Sequence, residues 1–174
     1  MNPNTIQCWK HQKEVSKLET DRALTVKPTP IEQGVLWEKE FFGVSNDMYG
    51  EPQYLNWQNA VAQVVEIQGH YNWDPRRPRT TKASEALDCV RSYLPPWMAR
   101  KVGLFCSIGT ALDRFHGVDG FFLIDDWLVT VDLATKMKTG DVKADFILAK
   151  NQSDVKLWRF CEEVANKFKK EMWR

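Results

Sequence analysis

The sequence predicts a single α/β domain: helices first, a short β-meander next, and a closing helix. Two observations carry this reading. Apolar residues recur at helical spacing as far as about Cys106, and from Val118 onward their period changes to two. The third is size and composition. At 174 residues, 43% hydrophobic and 27% charged, the chain has enough apolar material for one ordinary core and is not a disordered polymer.

Taken in order, the first helix starts at Thr29-Pro30, a capping hydroxyl followed by proline at the first helical position, and covers "IEQGVLWEKEFF". The second covers "NWQNAVAQVVEIQG", where Trp57, Val61, Val64 and Val65 share one face and Gly69 supplies a C-terminal stop. The stretch "HYNWDPRRPRTTK" is rich in proline and arginine and reads as an exposed basic loop. Ser84 is placed to cap a helix running to Leu94, where Pro95-Pro96 stops it, and a further helical segment extends from Pro96 to about Cys106. Gly109 and Gly117 punctuate the approach to three strands, "VDGFFLI", "WLVTVDLA" and "VKADFILA", the last two separated by the polar loop "TKMKTGD". Asn151 or Ser153 opens the final helix, with Val155, Trp158, Phe160, Cys161, Val164 and Phe168 at its apolar positions. Residues 1–83 thus form a helical N-terminal arm with its basic loop, and residues 84–174 the core, within one domain.

Several function classes are set aside by composition. A net charge of +1 gives no global field for nucleic acid or acidic lipid, although positive charge is locally bunched. The four cysteines, Cys8, Cys89, Cys106 and Cys161, share no CxxC spacing, and the three histidines, His11, His70 and His116, share no metal-ligand spacing. Reduced thiols are expected. No apolar run approaches the ~18 residues of a membrane span, the start "MNPNTIQCWKHQK" lacks a signal peptide's layout, and the cytoplasm is the expected address. Glycine-rich phosphate loops and a nucleophile elbow around Ser107 or Ser153 are absent.

The chemistry concentrates in the hairpin. If Asp125-Asp126 is a two-residue turn, Ile124 pairs with Trp127, Leu123 with Leu128, Phe121 with Thr130, and Asp119 with Asp132. Opposed cross-strand residues have Cβ atoms about 4.5–5.5 Å apart, where like charges destabilise. Two such carboxylates share a proton or bind a cation, and hard oxygen ligands suit Mg2+ or Mn2+.

The run "VDGFF…VTVDLATK", after helices and before another strand and helix, resembles the PD-(D/E)XK nucleases, the restriction-endonuclease-like superfamily. The resemblance spans about Ser84 to Phe168. It implies a restriction-endonuclease-like core of helix, three-stranded antiparallel or mixed sheet and helix, with a helical N-terminal region. It also implies a magnesium-dependent nuclease cutting DNA phosphodiesters, with Asp119 and Asp132 as metal ligands and catalytic acids. Val118 stands where the family has proline, and Ala134 occupies the lysine position two residues after Asp132. Lys136, on the same face if the strand continues, is the candidate replacement, with Lys138 behind it. Glu85 is the candidate upstream helical acid, Asp88 a weaker one. Arg76, Arg77, Arg79, Lys82 and Lys138 are the candidate DNA contacts, joined by Arg100, Lys101 and Lys143, and His116 and Trp73 are further residues that could meet substrate, Trp73 by stacking on an unpaired base. The competing expectation is a non-catalytic nucleic-acid or protein interaction module on a degenerate nuclease scaffold, for which Ala134 argues. An unrelated α/β accessory protein is the third. The oligomeric state stays open, a homodimer included.

Overall fold

The computed structural model describes residues 28–44, 51–136, 143–150 and 153–172. Cys8, His11, Lys138, Asn151 and most of the "TKMKTGD" loop lie outside the described residues. The chain divides into the units Met1–Ile31 and Glu32–Arg174.

Among the described residues, six helices and four strands follow one another as α1 (Pro30–Phe42), α2 (Trp57–Ile67), α3 (Thr81–Tyr93), α4 (Pro96–Ala99), β1 (Gly103–Cys106), α5 (Ala111–His116), β2 (Gly120–Ile124), β3 (Trp127–Ala134), β4 (Phe146–Ala149) and α6 (Asp154–Met172). The sheet has the order β1-β2-β3-β4; β1, β2 and β3 are antiparallel neighbours and β4 is parallel to β3. The chain is therefore mixed α/β. No helix among the described residues is long and apolar enough to cross a membrane.

Both faces of the sheet are covered, because β2 and β3 are apolar on each side. One face, with Phe122, Ile124, Val129, Val131, Leu133 and Leu148, packs on Trp37, Phe41 and Phe42 of α1, Leu87 and Val90 of α3, and Phe160, Val164 and Phe168 of α6. The other, with Phe121, Leu123 and Leu128, packs on Ala60 and Val64 of α2 and Ala111 and Leu112 of α5. The hairpin register is the one expected, from Ile124↔Trp127 through Phe121↔Thr130 to Gly120↔Val131. Asp125 makes the two-residue turn possible by taking a left-handed φ of 50°, which a short polar side chain tolerates.

The structure corrects several boundaries. The segment from Pro96 is helical only to Ala99; Gly103–Cys106 is instead strand β1, because its backbone partners lie on β2, some 17 residues later and invisible to local periodicity. Helix α3 begins a turn before Ser84: Thr80 is its cap, its Oγ accepting the Ala83 N–H at 3.4 Å, so part of the presumed basic loop is helix. Gly69 is not a stop but lies in a 3-10 turn, Gln68–Tyr71, closed by Asn72 at φ 51°. The turn is held there because the buried Gln68 amide spans to β1, accepting from Cys106 N and donating to Cys106 O, each at 3.0 Å. Helix α5 was not anticipated. On α6, Phe160, Cys161, Val164 and Phe168 are buried as expected, but Val155 and Trp158 are exposed. Trp73 is core rather than a surface ring: it is buried, donates Nε1–H to Leu104 O at 2.7 Å, and meets Phe42 edge-on. The described cysteines, Cys89, Cys106 and Cys161, are free thiols.

Candidate acidic site at the end of the hairpin

The loop before α5 builds the site. Thr110 caps α5 through the Leu112 N–H at 3.2 Å while its own hydroxyl donates to Ser107 O at 2.7 Å, and Gly117, at φ 63°, ends the helix after six residues. Ser107 ties this loop to β2: its hydroxyl donates to Val118 O at 2.6 Å and its N–H to Asp119 O at 3.0 Å. Ser107 is thus a structural group. Held this way, Asp113 on α5 turns back onto the loop, its Oδ2 accepting the Gly109 N–H at 2.7 Å.

Asp119 and Asp132 stand one step beyond the β2–β3 ladder. Residues two apart share a face of a strand, so Asp119 follows Phe121 and Leu123, and Asp132 follows Thr130 and Leu128, onto the α5 side. Each is 6% exposed. The regular ladder gives way here: the Asp119 N–H bonds Val131 O at 3.0 Å, and Asp119 Oδ2 reaches across to accept the Leu133 N–H at 2.6 Å.

Electrostatics show how crowded the acids are. Burial pushes the Asp119 carboxyl well above the usual range, the charges of Asp113 and Asp132 push it further, the Leu133 N–H opposes them, and Glu38 on α1 adds to the rise. Asp113 is also raised, chiefly by burial; the Gly109 N–H and the Arg114 guanidinium pull it down, Asp132 pushes it up, and a hydrogen bond from Asp119 favours its charged form. Asp113 and Asp119 are thus both raised, chiefly by burial, and the Asp132 charge adds to each rise.

A stability consequence follows. A carboxyl raised on folding binds its proton more tightly in the native state, so its contribution is full below the unfolded value of about 3.9 and is lost as pH rises through the folded value. In chelator, Asp119→Asn is expected to be more stable than wild type at pH 7, by a margin that grows as pH rises from about 4, because the depressed Glu40 and Asp145 act equally in both proteins; urea midpoints of the two proteins across that range check it. A margin that stays constant or shrinks through this window would contradict the crowding.

The other expected residues are dispersed. Glu85 is exposed on α3 and lines a separate pocket of about 160 Å3 with Trp37, Lys82, Leu148 and Lys150, so the helical acid acting on Asp119 is Glu38 instead. Asp88 pairs with Arg91 on α3. Lys136 is exposed in the bend after β3, and Ala134 is buried beside Ala149. Lys82 and Lys150 both bind the Glu40 carboxylate, at 3.0 and 2.8 Å, over the Trp37 ring. Arg79 donates to Gly43 O at 2.7 Å, and Arg77 is exposed. Arg76 and Lys101 line a pocket of about 420 Å3 with Gly103 and Leu123. Leu123 is four strand residues from Asp119, about 14 Å at the usual rise, so these cations serve the opposite end of the hairpin. The cation that acts on the acids is one the sequence left aside, Arg114; Lys143, a candidate DNA contact, lies at the end of α5, where its Nζ donates to Phe115 O at 3.2 Å.

No family model, curated protein or solved structure matches this chain. Among the described residues no group of three or more His, Cys, Asp or Glu side chains stands ready to hold a metal ion. The donor chemistry nevertheless fits a hard divalent cation, which binds proteins through one or two carboxylates with water and substrate oxygens completing its shell. Asp119 and Asp132 supply two buried carboxyl groups on one face of the hairpin end.

Proposed function

We propose that this chain is a divergent magnesium-dependent nuclease of the PD-(D/E)XK type acting on DNA phosphodiesters. The observation that carries the reading is the placement of the buried Asp119 and Asp132 on one face at one end of the hairpin, where burial raises Asp119 and the charges of Asp113 and Asp132 add to the rise that a cation would relieve. A helix, a mixed sheet with the acids on its adjacent central strands, and a closing helix also agree with the core the resemblance implies.

Asp119 and Asp132 would hold the ion, whose chemistry is to lower the pKa of a bound water and to neutralise charge on the scissile phosphate. The chain's own part is positional. The Leu133 N–H fixes the Asp119 carboxylate, and Arg114 brings a positive charge beside Asp113. Lys136 remains the candidate for the ammonium that Ala134 cannot supply, from an exposed position one short bend beyond β3.

One observation favours the second reading, a non-catalytic interaction module on the same scaffold: Ala134 is buried and uncharged at the lysine position. Incubation with single- and double-stranded DNA in magnesium or manganese separates the two. Cleavage by wild type, cut ~10²–10³-fold by Lys136→Ala, is the nuclease outcome. No cleavage of either substrate supports the module.

A further inference from the structure

Beside the acids lies a group of four rings that the core does not use. Tyr54 is 66% exposed, Phe115 41% and Trp57 39%, whereas Trp37 and Trp73 are buried and bond inward through their indole N–H groups. The group is ordered rather than incidental. Tyr54 meets Phe115 edge-on, with centroids 5.5 Å apart and planes at 77°, and Trp57 meets His116 edge-on at 5.5 Å and 88°. His116 binds the two sides together, its Nε2 2.9 Å from Leu55 O and its ring 6.0 Å from Tyr54. An edge-on contact covers at most one face of one ring in each pair, so Tyr54, Phe115 and Trp57 keep ring surface open to solvent.

We propose that Tyr54, Trp57 and Phe115 form a stacking platform for the bases of an unpaired DNA strand whose backbone passes the carboxylates. This rests on the nuclease reading above for where the backbone goes. Three features select that occupant. His116 follows Asp113 by three positions on the six-residue helix α5, the spacing that puts two side chains on one side of a helix, and its ring meets those of Tyr54 and Trp57, so the ring group adjoins the acids through His116. Arg114, exposed beside Asp113, and Lys143, bonded to Phe115 O, place two cations at the same edge for phosphates. Open aromatic faces accept any base, but duplex bases are already stacked on one another and present only their edges, so the partner is single-stranded. The sequence preference should be weak for the same reason.

The test is fluorescence anisotropy of a labelled oligothymidylate of roughly 12 nucleotides, comparable to single-strand site sizes, titrated with the full chain in EDTA. Wild type should bind it more tightly than a duplex of equal length. Tyr54→Ala and Phe115→Ala should each weaken binding ~5- to 150-fold, the range for losing one base–aromatic stack, with Tyr54→Phe close to wild type. Both rings are solvent-exposed, so melting curves should remain those of the wild type. The slope of log affinity against log salt should be unchanged by Tyr54→Ala and shallower by about 0.7 in Lys143→Ala, which loses a phosphate contact rather than a stack. Tighter binding of duplex, no binding of the single strand, or a Tyr54→Ala/Phe115→Ala double variant that binds like wild type would each overturn the platform. Because EDTA removes catalysis from the measurement, retained stacking without cleavage in magnesium overturns the nuclease reading alone. Cleavage with the rings irrelevant overturns the platform alone.

Discussion

Asp132→Asn is expected to reduce magnesium-dependent DNA cleavage by ~10³-fold or more while leaving the protein at least as stable as wild type. The activity arm follows because one of two carboxylates that would hold the ion becomes a neutral amide, a weak ligand for a hard cation. The stability arm runs the other way. The Asp132 charge raises both Asp119 and Asp113, so removing it lowers the repulsion at a buried position without changing side-chain shape. Few core substitutions cost activity and not stability, which makes the pairing of outcomes diagnostic. A variant that lost activity because it unfolded would show that Asp132 is a structural acid, and full activity in a folded variant would remove it from the site.

Gly120→Ala should do the reverse and destabilise the fold by about 3 kcal/mol, the upper part of the usual cost of overpacking. An added Cβ would sit 2.4 Å from Phe42 Cζ and 2.8 Å from Phe105 O. The carbonyl belongs to β1 and cannot give way without breaking the ladder to β2. The ring cannot retreat either, being fully buried between the edges of Phe41 at 4.9 Å and Trp73 at 5.3 Å. For a domain of this size a midpoint lower by ~6–12 °C is expected. Gly34, in the interior of α1 with nothing within 4 Å of its added Cβ, is the control: Gly34→Ala should stabilise by about 0.4–1 kcal/mol through the unfolded chain. Equal and small effects at both positions would mean that the packing around Gly120 is looser than described.

The parts of the fold legible in the sequence are those fixed by neighbours along the chain. Thr29-Pro30 opens α1 as expected, and the Asp125-Asp126 turn sets the register of β2 against β3, which brings Asp119 and Asp132 to one strand end. What escaped was set from a distance. Strand β1 exists because β2 offers its backbone, and four residues of apolar chain after a helix carry no sign of that. Helix α5 is bracketed by Thr110 and Gly117, both cap residues in plain view, yet six residues are too few for helical periodicity to register. Missing α5 meant missing Asp113 and Arg114, and left His116 without the rings of Tyr54 and Trp57 that meet it. Glu38 was hidden for another reason: within "LWEKEFF" it is one of several helical acids, and only the packing of α1 on the sheet brings its charge to bear on Asp119 rather than that of Glu85. Lys136 was placed by extending β3 past Ala134, but the strand ends at Ala134 and the chain bends. Basic residues were grouped by sequence proximity, whereas the sheet separates Arg76 from Asp119 by the length of the hairpin.

The central claim is that the Asp119–Asp132 end of the hairpin takes a divalent cation, and thermal melting with millimolar manganese against chelator tests it most directly. Binding to the native state alone raises stability by about 2.7 kcal/mol at a hundredfold excess over the dissociation constant, a shift of ~5–11 °C for a domain of this size. The account predicts such a shift in the wild type and its loss in Asp119→Asn; no shift in the wild type, or an equal shift in both proteins, would contradict it.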